Sequence, residues 1–284
     1  MYLKKCKENF TGEDKNLFER ISFRTKSLIK RSKQNLDIVD IKDFYININN
    51  FTPLYIIKNP LYNYQSISGI ISYSLFGKVN NNWKKGLLEP LLLNCNKIKT
   101  FLPNWLIRIY ISSNIDDSIK KQLFLSGAEL YVMKENNNNF WQGLLWRFLV
   151  AEENKTFIIS DADSIINLKT INKINYWQKS NKKFFRIATL HNFFIPINAG
   201  NWGGKSINNK PVIPNIKTKM AKYNTNWFGS DEAFLSKEIW PSFIKEGYYE
   251  GSPLLSKSKI IIIIILFFIL IILVITIIIL LKYN

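Results

Sequence analysis

The sequence predicts an α/β protein with a mostly parallel sheet flanked by helices, followed by a membrane-spanning helix. Two observations support the sheet and one supports the span. Apolar runs of strand length alternate with amphipathic segments of helix length. One of these runs, residues 157–160, leads directly into Asp161 and Asp163. Residues 260–281 form an unbroken apolar run. Strands that alternate with helices at this spacing are typical of a parallel sheet with crossover helices.

The elements of the predicted sheet follow in chain order. Four runs have the length and composition of buried strands: residues 67–73, 106–111, 128–132 and 157–160. The segments between them predict helices over 86–96, from Asp116 and Asp117 onward, and over 141–149. The last of these has apolar residues at positions i, i+3, i+4, i+7 and i+8, which is the pattern of one helix face.

The pattern changes after Asp163. Residues 168–179 predict a helix and residues 184–188 a strand. Residues 196–204 include three glycines and predict a compact loop, and a helix is expected to begin near residues 233–235. These expectations divide the chain into a basic N-terminal extension (1–65), an α/β domain (66–256) and a membrane helix (260–281).

The apolar run predicts membrane attachment. As a helix rising about 1.5 Å per residue, it would be roughly 33 Å long, enough to cross the apolar core of a bilayer. The first residues contain no apolar stretch like that of a signal peptide. We therefore expect a single-pass C-terminal anchor. Lys257 and Lys259 before the span favour a domain that faces the cytosol, or the interior of a virion.

The charge balance is strongly basic, with a formal net charge of +18. Residues 1–34 hold ten Lys and Arg against four acids, so this segment is either a solvated helix face or a contact for anionic lipid. No motif of a nucleic-acid-binding fold accompanies the charge, which argues against a nucleic-acid partner. Cys6 and Cys95 are too few for a disulfide framework or a zinc site, as is usual in a reducing compartment.

Asp161 and Asp163 are the first candidates for chemistry. Ligands of open α/β sheets bind at the carboxyl ends of the strands, where this pair is predicted to lie. A hard divalent cation prefers carboxylate oxygens and often shares them with substrate phosphates. The pair therefore predicts either a metal that holds a diphosphate or a turn with solvated charges.

Five short motifs occur in a characteristic order along the chain. They are Tyr73-Ser74-Leu75-Phe76-Gly77, Gly143-Leu144-Leu145-Trp146-Arg147-Phe148, Ser160-Asp161-Ala162-Asp163-Ser164, Asn198-Ala199-Gly200-Asn201-Trp202-Gly203 and Gly229-Ser230-Asp231-Glu232-Ala233-Phe234-Leu235. In this order they resemble the motifs of GT-A-type glycosyltransferases, in particular a poorly characterised group found in bacteria and large DNA viruses. The resemblance covers about residues 67–241.

The resemblance implies a Rossmann-like GT-A sheet and a nucleotide-sugar donor that lies over the end of the first strand, at Tyr73 and Ser74. Asp161 and Asp163 would form the DxD motif of such enzymes, which holds Mn²⁺ or Mg²⁺. Asp163 would bind the metal directly, and Asp161 would meet the ribose, a sugar hydroxyl or a metal-bound water.

Two further elements receive roles from the same resemblance. Asn198, Ala199 and Gly200 would approach the donor sugar, where glycine permits close backbone contact. Asp231 would deprotonate an acceptor hydroxyl or position the donor sugar. The acceptor, a glycan, protein or lipid, is not specified by any motif.

One departure from the family pattern keeps other functions open. Many of these enzymes use a later His or Asp as a third metal ligand. Here the single histidine, His191, comes before the Gly-rich segment, and Glu250 is the nearest substitute. The alternatives are a membrane protein that keeps a degenerate transferase fold as a binding module, and a haloacid-dehalogenase-like phosphotransferase, whose motif also places Asp-x-Asp after an apolar strand.

Overall fold

A computed structural model describes residues 51–60, 62–135, 140–188, 195–223 and 229–251. It confirms the α/β prediction: strands of a mixed sheet alternate with flanking helices. The eight strands within these residues are β1 (Tyr55–Ile57), β2 (Gly69–Leu75), β3 (Trp105–Ser112), β4 (Ala128–Met133), β5 (Thr156–Ser160), β6 (Phe184–Arg186), β7 (Asn201–Gly204) and β8 (Tyr248–Glu250).

The order of the strands is β1-β4-β3-β2-β5-β7-β6-β8. The four central strands β4, β3, β2 and β5 are parallel to one another. β7 pairs antiparallel with both β5 and β6, β8 runs parallel to β6, and β1 pairs antiparallel with β4 at the other edge. Every residue of β2 and β3 is buried, which explains their nearly continuous apolar sequences, since both faces of a parallel sheet are covered.

The α-helices within the described residues range from three to thirteen residues in length. They are α1 (Asn81–Trp83), which a π-helical turn (Lys84–Leu88) joins to α2 (Glu89–Phe101), α3 (Asp117–Leu125), α4 (Gly143–Trp146), α5 (Leu168–Lys179), α6 (Ile216–Ala221), α7 (Ser230–Phe234) and α8 (Trp240–Glu246). The local sequence explains where two of the longer helices begin. Pro90 stands in the first turn of α2, and the Asn167 side chain accepts a hydrogen bond from Thr170 N at the start of α5.

Two apolar clusters cover the two faces of the sheet. One joins the sheet to buried residues of α2, α3 and α5, among them Leu91, Leu123 and Trp177. The other joins it to residues 145–151 and to α7 and α8, among them Phe234 and Phe243. The connection after β2 and the connection before β5 therefore pack on opposite faces of the sheet.

Three sequence predictions are wrong in detail. Residues 141–149 do not form one helix, because α4 is flanked by 3₁₀ turns over Phe140–Gln142 and Arg147–Glu152. Residues 201–204 of the predicted loop form β7 instead. Its glycines allow close packing: a Cβ on Gly203 would lie 2.3 Å from the carbonyl oxygen of Phe157. The strand predicted over 184–188 ends at Arg186.

The membrane prediction concerns residues that the structure does not describe. Of the residues it does describe, no helix is long and apolar enough to span a bilayer, and the apolar run 260–281 lies outside them. Most of the predicted N-terminal extension also lies outside them. The part that is described includes the buried residue Phe51 and β1, which pairs with β4.

Candidate functional site

The candidate site lies where the carboxyl ends of β2 and β5 meet. These strands are neighbours in the sheet, although β3 and β4 come between them in the chain. Because the strand order reverses at β2, with β3 and β4 on one side of it and β5 on the other, a crevice is expected at the ends of β2 and β5. β2 ends at Leu75 and β5 ends at Ser160, so Ser74 and Asp161 lie at the same edge of the sheet.

Two serines of β2 fix the segment that packs over the carboxyl end of this strand. The Ser72 hydroxyl donates to the carbonyl oxygen of Arg147 at 2.7 Å, and the Arg147 amide donates to Ser74 Oγ at 2.9 Å. All three residues are buried. The backbone of Arg147 is therefore held at the carboxyl end of β2, and its amide bonds to a serine at the point where α4 gives way to the 3₁₀ turn.

The Arg147 side chain joins the two acids that the sequence selected. Its Nη1 lies 2.5 Å from Asp161 Oδ1, and its Nη2 lies 3.0 Å from Asp231 Oδ2. The side chains of Arg147 and Asp231 are buried, whereas that of Asp161 is 34% exposed. Burial disfavours the charged guanidinium, but the carboxylates of Asp161 and Asp231 outweigh it and raise the pKa of Arg147. We call Arg147, Asp161 and Asp231 the charged triad.

Gly200 packs directly against the Asp161 carboxylate. A Cβ on Gly200 would lie 1.9 Å from Asp161 Oδ2, which is far closer than any side chain allows. The Gly200 amide donates to Asn198 Oδ1 at 3.1 Å, and Ala199 is buried. Gly200 therefore lies against Asp161, and a side chain at this position would displace the Asp161 carboxylate.

Asn94 holds the loop that carries Asp163. Its Nδ2 donates to the carbonyl oxygen of Ser164 at 2.8 Å, and its Oδ1 accepts from the amide of Ile166 at 2.9 Å. Lys97 donates to the carbonyl oxygen of Ile166 at 3.2 Å. Asp163 is exposed and contributes to the electrostatic environment of Arg147. The carboxylate pair is thus supported by α2 as well as by β5.

Tyr73 has a different place from its neighbour Ser74. Its side chain is fully buried in the cluster under α2, and burial followed by the nearby Cys95 raises its pKa. Since alternate residues of a strand point to opposite faces, Tyr73 and Ser74 point away from each other. Ser74 faces the charged triad, whereas Tyr73 packs beneath α2.

The donor set suits a hard divalent cation. Mg²⁺ is usually held by one or two carboxylates together with substrate phosphates and water, and Asp161 and Asp163 supply such carboxylates. Of the residues that the structure describes, no three His, Cys, Asp or Glu side chains form a group that could hold a metal. Glu250 ends β8, three strands from β5, so it lies about 14 Å away at the usual strand spacing. It pairs with Arg186 at 3.0 Å, and His191 lies outside the described residues.

Sequence reasoning missed the central member of the site. Arg147 occurs in a motif of the resemblance, but it is equally compatible with a solvated charge on a helix surface, and neither of its two acidic partners lies within ten residues of it in the sequence. Asn94 gave no signal, because asparagine is abundant throughout the chain. Ser74 was selected through the resemblance as a donor contact, whereas Ser72 was visible only as a polar residue within an otherwise apolar strand.

Comparison of the chain with models of known protein families gave no match, and neither did comparisons with curated proteins and with solved structures.

Proposed function

We propose that this protein is a membrane-tethered glycosyltransferase of the GT-A type, which binds a nucleotide-sugar donor and a divalent metal between the carboxyl ends of β2 and β5. One observation carries the proposal. Asp161, Arg147, Asp231 and Gly200 come from four separate segments of the chain and contact one another beside the carboxyl ends of β2 and β5. In open α/β sheets the point where the strand order reverses is the usual place for a nucleotide.

The proposed reaction exchanges one bond at the donor sugar. The bond from the sugar C1 to the diphosphate breaks, a bond from an acceptor oxygen to C1 forms, and the acceptor hydroxyl loses its proton. Asp161 and Asp163 would hold Mn²⁺ or Mg²⁺, which as a Lewis acid would neutralise the charge that develops on the leaving diphosphate. Arg147 places a further permanent positive charge beside these carboxylates.

The surroundings of Asp231 favour positioning of the donor over proton abstraction. The carboxylate is buried, its Oδ2 faces Arg147, and its Oδ1 accepts from the amide of Glu232 at 2.9 Å. A carboxylate that already accepts such bonds is a weak base, because each bond stabilises its ionised form. We therefore propose that Asp231 fixes Arg147 and, through it, the donor.

A second candidate function is binding without transfer. The pairing of Glu250 with Arg186 and the lack of a three-residue metal group within the described ranges favour a module that keeps the fold and binds a nucleotide or sugar. The phosphotransferase alternative requires Asp161 as an unengaged nucleophile, and the 2.5 Å contact with Arg147 argues against that role.

The proposal is tested by ligand-dependent stabilisation of the full-length protein in detergent. A panel of nucleotide sugars is screened by thermal shift with Mn²⁺ and with EDTA, because a ligand that binds only the folded state raises Tm by mass action. We expect one nucleotide class to stabilise the protein in Mn²⁺ only. Asp163→Ala should abolish this shift while leaving the ligand-free Tm unchanged.

The control is Asp117→Ala, which removes a side chain that is 93% exposed at the start of α3 and that makes its ion pair with Lys120. It should retain the shift. Release of free sugar from the stabilising donor, measured with and without Mn²⁺, separates the two candidates. Metal-dependent release supports transfer, and stabilisation without release supports the binding module. Stabilisation that is indifferent to EDTA and to Asp163→Ala would contradict the metal assignment.

A further inference from the structure

The outer surface of two neighbouring helical segments is strongly basic. Residues 81–101 and 168–179 together hold seven lysines and one acid, Glu89. The two segments are joined by the hydrogen bonds of Asn94 and Lys97 to the loop just before α5. We call their combined outer surface the basic face.

Within the described residues, the lysines of this surface form no ion pair with a carboxylate, whereas an ion pair does reach the segment on the opposite side of the sheet. Residues 230–246 there hold four acids and two lysines, and Lys183 pairs with Glu246 at 2.5 Å. Within the described ranges, no ion pair joins a carboxylate to a lysine of the basic face. Burial, followed by the adjacent charge of Lys169, lowers the pKa of Lys173. A general excess of lysine in the chain does not explain this asymmetry.

Large apolar side chains are exposed among these lysines. The exposed fractions are 47% for Leu93, 57% for Leu168 and 65% for Tyr176, and Ile165 beside the site is 46% exposed. Lysines interspersed with exposed Leu and Tyr are the composition of surfaces that lie on anionic bilayers, where apolar groups enter the headgroup layer and lysines meet lipid phosphates.

The end of the described chain lies against the same surface. The Gly251 amide donates to the carbonyl oxygen of Arg186 at 2.8 Å, and a Cβ on Gly251 would lie 3.2 Å from Lys173 Cδ. The uncharged apolar run begins nine residues later at Ile260. Nine extended residues span at most about 30 Å, so the start of this run stays within that distance of α5.

We propose that the basic face docks flat on an anionic membrane surface. The loop that carries Asp163 and Ile165 leads into α5, so the candidate site would then open at the edge of the headgroup layer. Docking depends on the lysines and exposed apolar residues, and it stands whether or not the site transfers sugar.

The test uses the full-length protein reconstituted into vesicles of phosphatidylcholine alone or with phosphatidylserine. A single cysteine is introduced as Tyr176→Cys in a Cys6→Ser/Cys95→Ala background and labelled with an environment-sensitive fluorophore. The matched control is Ile244→Cys, since Ile244 is 62% exposed on α8 in the opposite layer. Brominated lipids quench a fluorophore that lies in the membrane interface.

We expect lipid quenching and a blue-shifted emission at position 176 in anionic vesicles only, and neither at position 244. Lys169→Glu/Lys173→Glu should abolish the quenching at 176, because each lysine near an anionic surface strengthens the attraction about fivefold. The charge-matched variant Lys237→Glu/Lys245→Glu, in the opposite layer, should leave it unchanged.

Three outcomes overturn the proposal. One is equal quenching at positions 176 and 244, and another is a chain that floats with neither kind of vesicle. The third would identify a different partner. In this outcome no lipid quenching occurs at position 176, a labelled single-stranded RNA binds the protein, and Lys169→Glu/Lys173→Glu abolishes that binding.

Discussion

Arg147 Nη2 lies 3.0 Å from Asp231 Oδ2, although 84 residues separate the two in the chain. Both side chains are buried, and the same guanidinium also contacts Asp161. The pair connects the segment that crosses β2 to the start of α7, which follows much later in the chain. A buried charge of either sign is costly without its partner, so the two residues depend on each other.

The first prediction concerns loss of this guanidinium. Arg147→Met should lower the free energy of unfolding by about 3–5 kcal/mol, because it leaves the buried Asp231 carboxylate without its cation. Arg147→Lys should cost less, since it keeps the charge but cannot reach both acids in a planar fork. Denaturant unfolding of the full-length protein in detergent measures both.

The control for this prediction is Lys183→Met, which breaks the partly exposed pair with Glu246. It should cost less than about 1 kcal/mol, as exposed ion pairs usually do. If Arg147→Met costs no more than this control, the charged triad is not a coupled buried group. In the double variant with Asp231→Asn, the loss should be smaller than the sum of the single losses.

The second prediction concerns the contact of Gly200 with Asp161. Gly200→Ala should abolish Mn²⁺-dependent stabilisation by the donor, because the new methyl group occupies the space of Asp161 Oδ2 and forces the carboxylate to rotate away. The thermal-shift screen measures the effect. Gly86→Ala is the matched control, since no atom lies within 4 Å of its Cβ position. A Gly200→Ala protein with unaltered binding would show that Asp161 does not need its present orientation.

The parallel core was predictable because its signals are local. β2 to β5 are apolar runs of strand length, and their observed bounds lie within two residues of the prediction. β7 was missed because Gly203 and Gly204 suggest a turn. In the structure, the absence of a Cβ at these two positions leaves room for the Phe157 carbonyl and the Val212 side chain. Whether glycine serves a turn or close packing is decided by neighbours that are distant in sequence.

The candidate site was predictable only in part, for the same reason. Asp161, Gly200 and Asp231 were selected from motifs, and the structure brings them together. Arg147 joins the two acids, and its place in the site follows only from contacts with residues that lie 14 and 84 positions away in the chain. The hydrogen bonds of Asn94 reach 70 and 72 residues along the chain. No pattern of local composition encodes such pairings.

The third prediction concerns pH and Cys95. Burial raises the pKa of this thiol from 9.0 to about 12. The unfolded chain therefore loses the proton at lower pH than the folded chain, and the stability falls as pH rises above the unfolded value. The loss from this group should be about 1 kcal/mol between roughly pH 8 and 9.5.

Unfolding of the wild type and of Cys95→Ala across this pH range isolates the effect. The variant should lack this part of the pH dependence, whatever its stability at neutral pH. In a Cys6→Ser background, Cys95 should also resist a thiol reagent at pH 8 until the protein unfolds. Rapid labelling of the folded protein would show that the thiol is accessible and that burial does not govern its pKa.

The last prediction tests whether Asn94 acts only by supporting the loop that carries Asp163, the residue proposed to bind the metal. Asn94→Asp replaces the donor that faces the Ser164 carbonyl with an acceptor, so the loop loses one of its three hydrogen bonds to α2 and gains a repulsive contact. We expect the Kd for the donor in Mn²⁺ to rise at least about tenfold, which corresponds to the loss of one buried hydrogen bond of about 1.4 kcal/mol. Because Asn94 contacts only the backbone of this loop in the bonds described, excess Mn²⁺ should restore part of the affinity, whereas it should not rescue Asp163→Ala.

The matched control is Asn96→Asp, an exposed change on the same helix, which should bind the donor as the wild type does. Equal Kd values for Asn94→Asp and Asn96→Asp would mean that the loop keeps its conformation without α2.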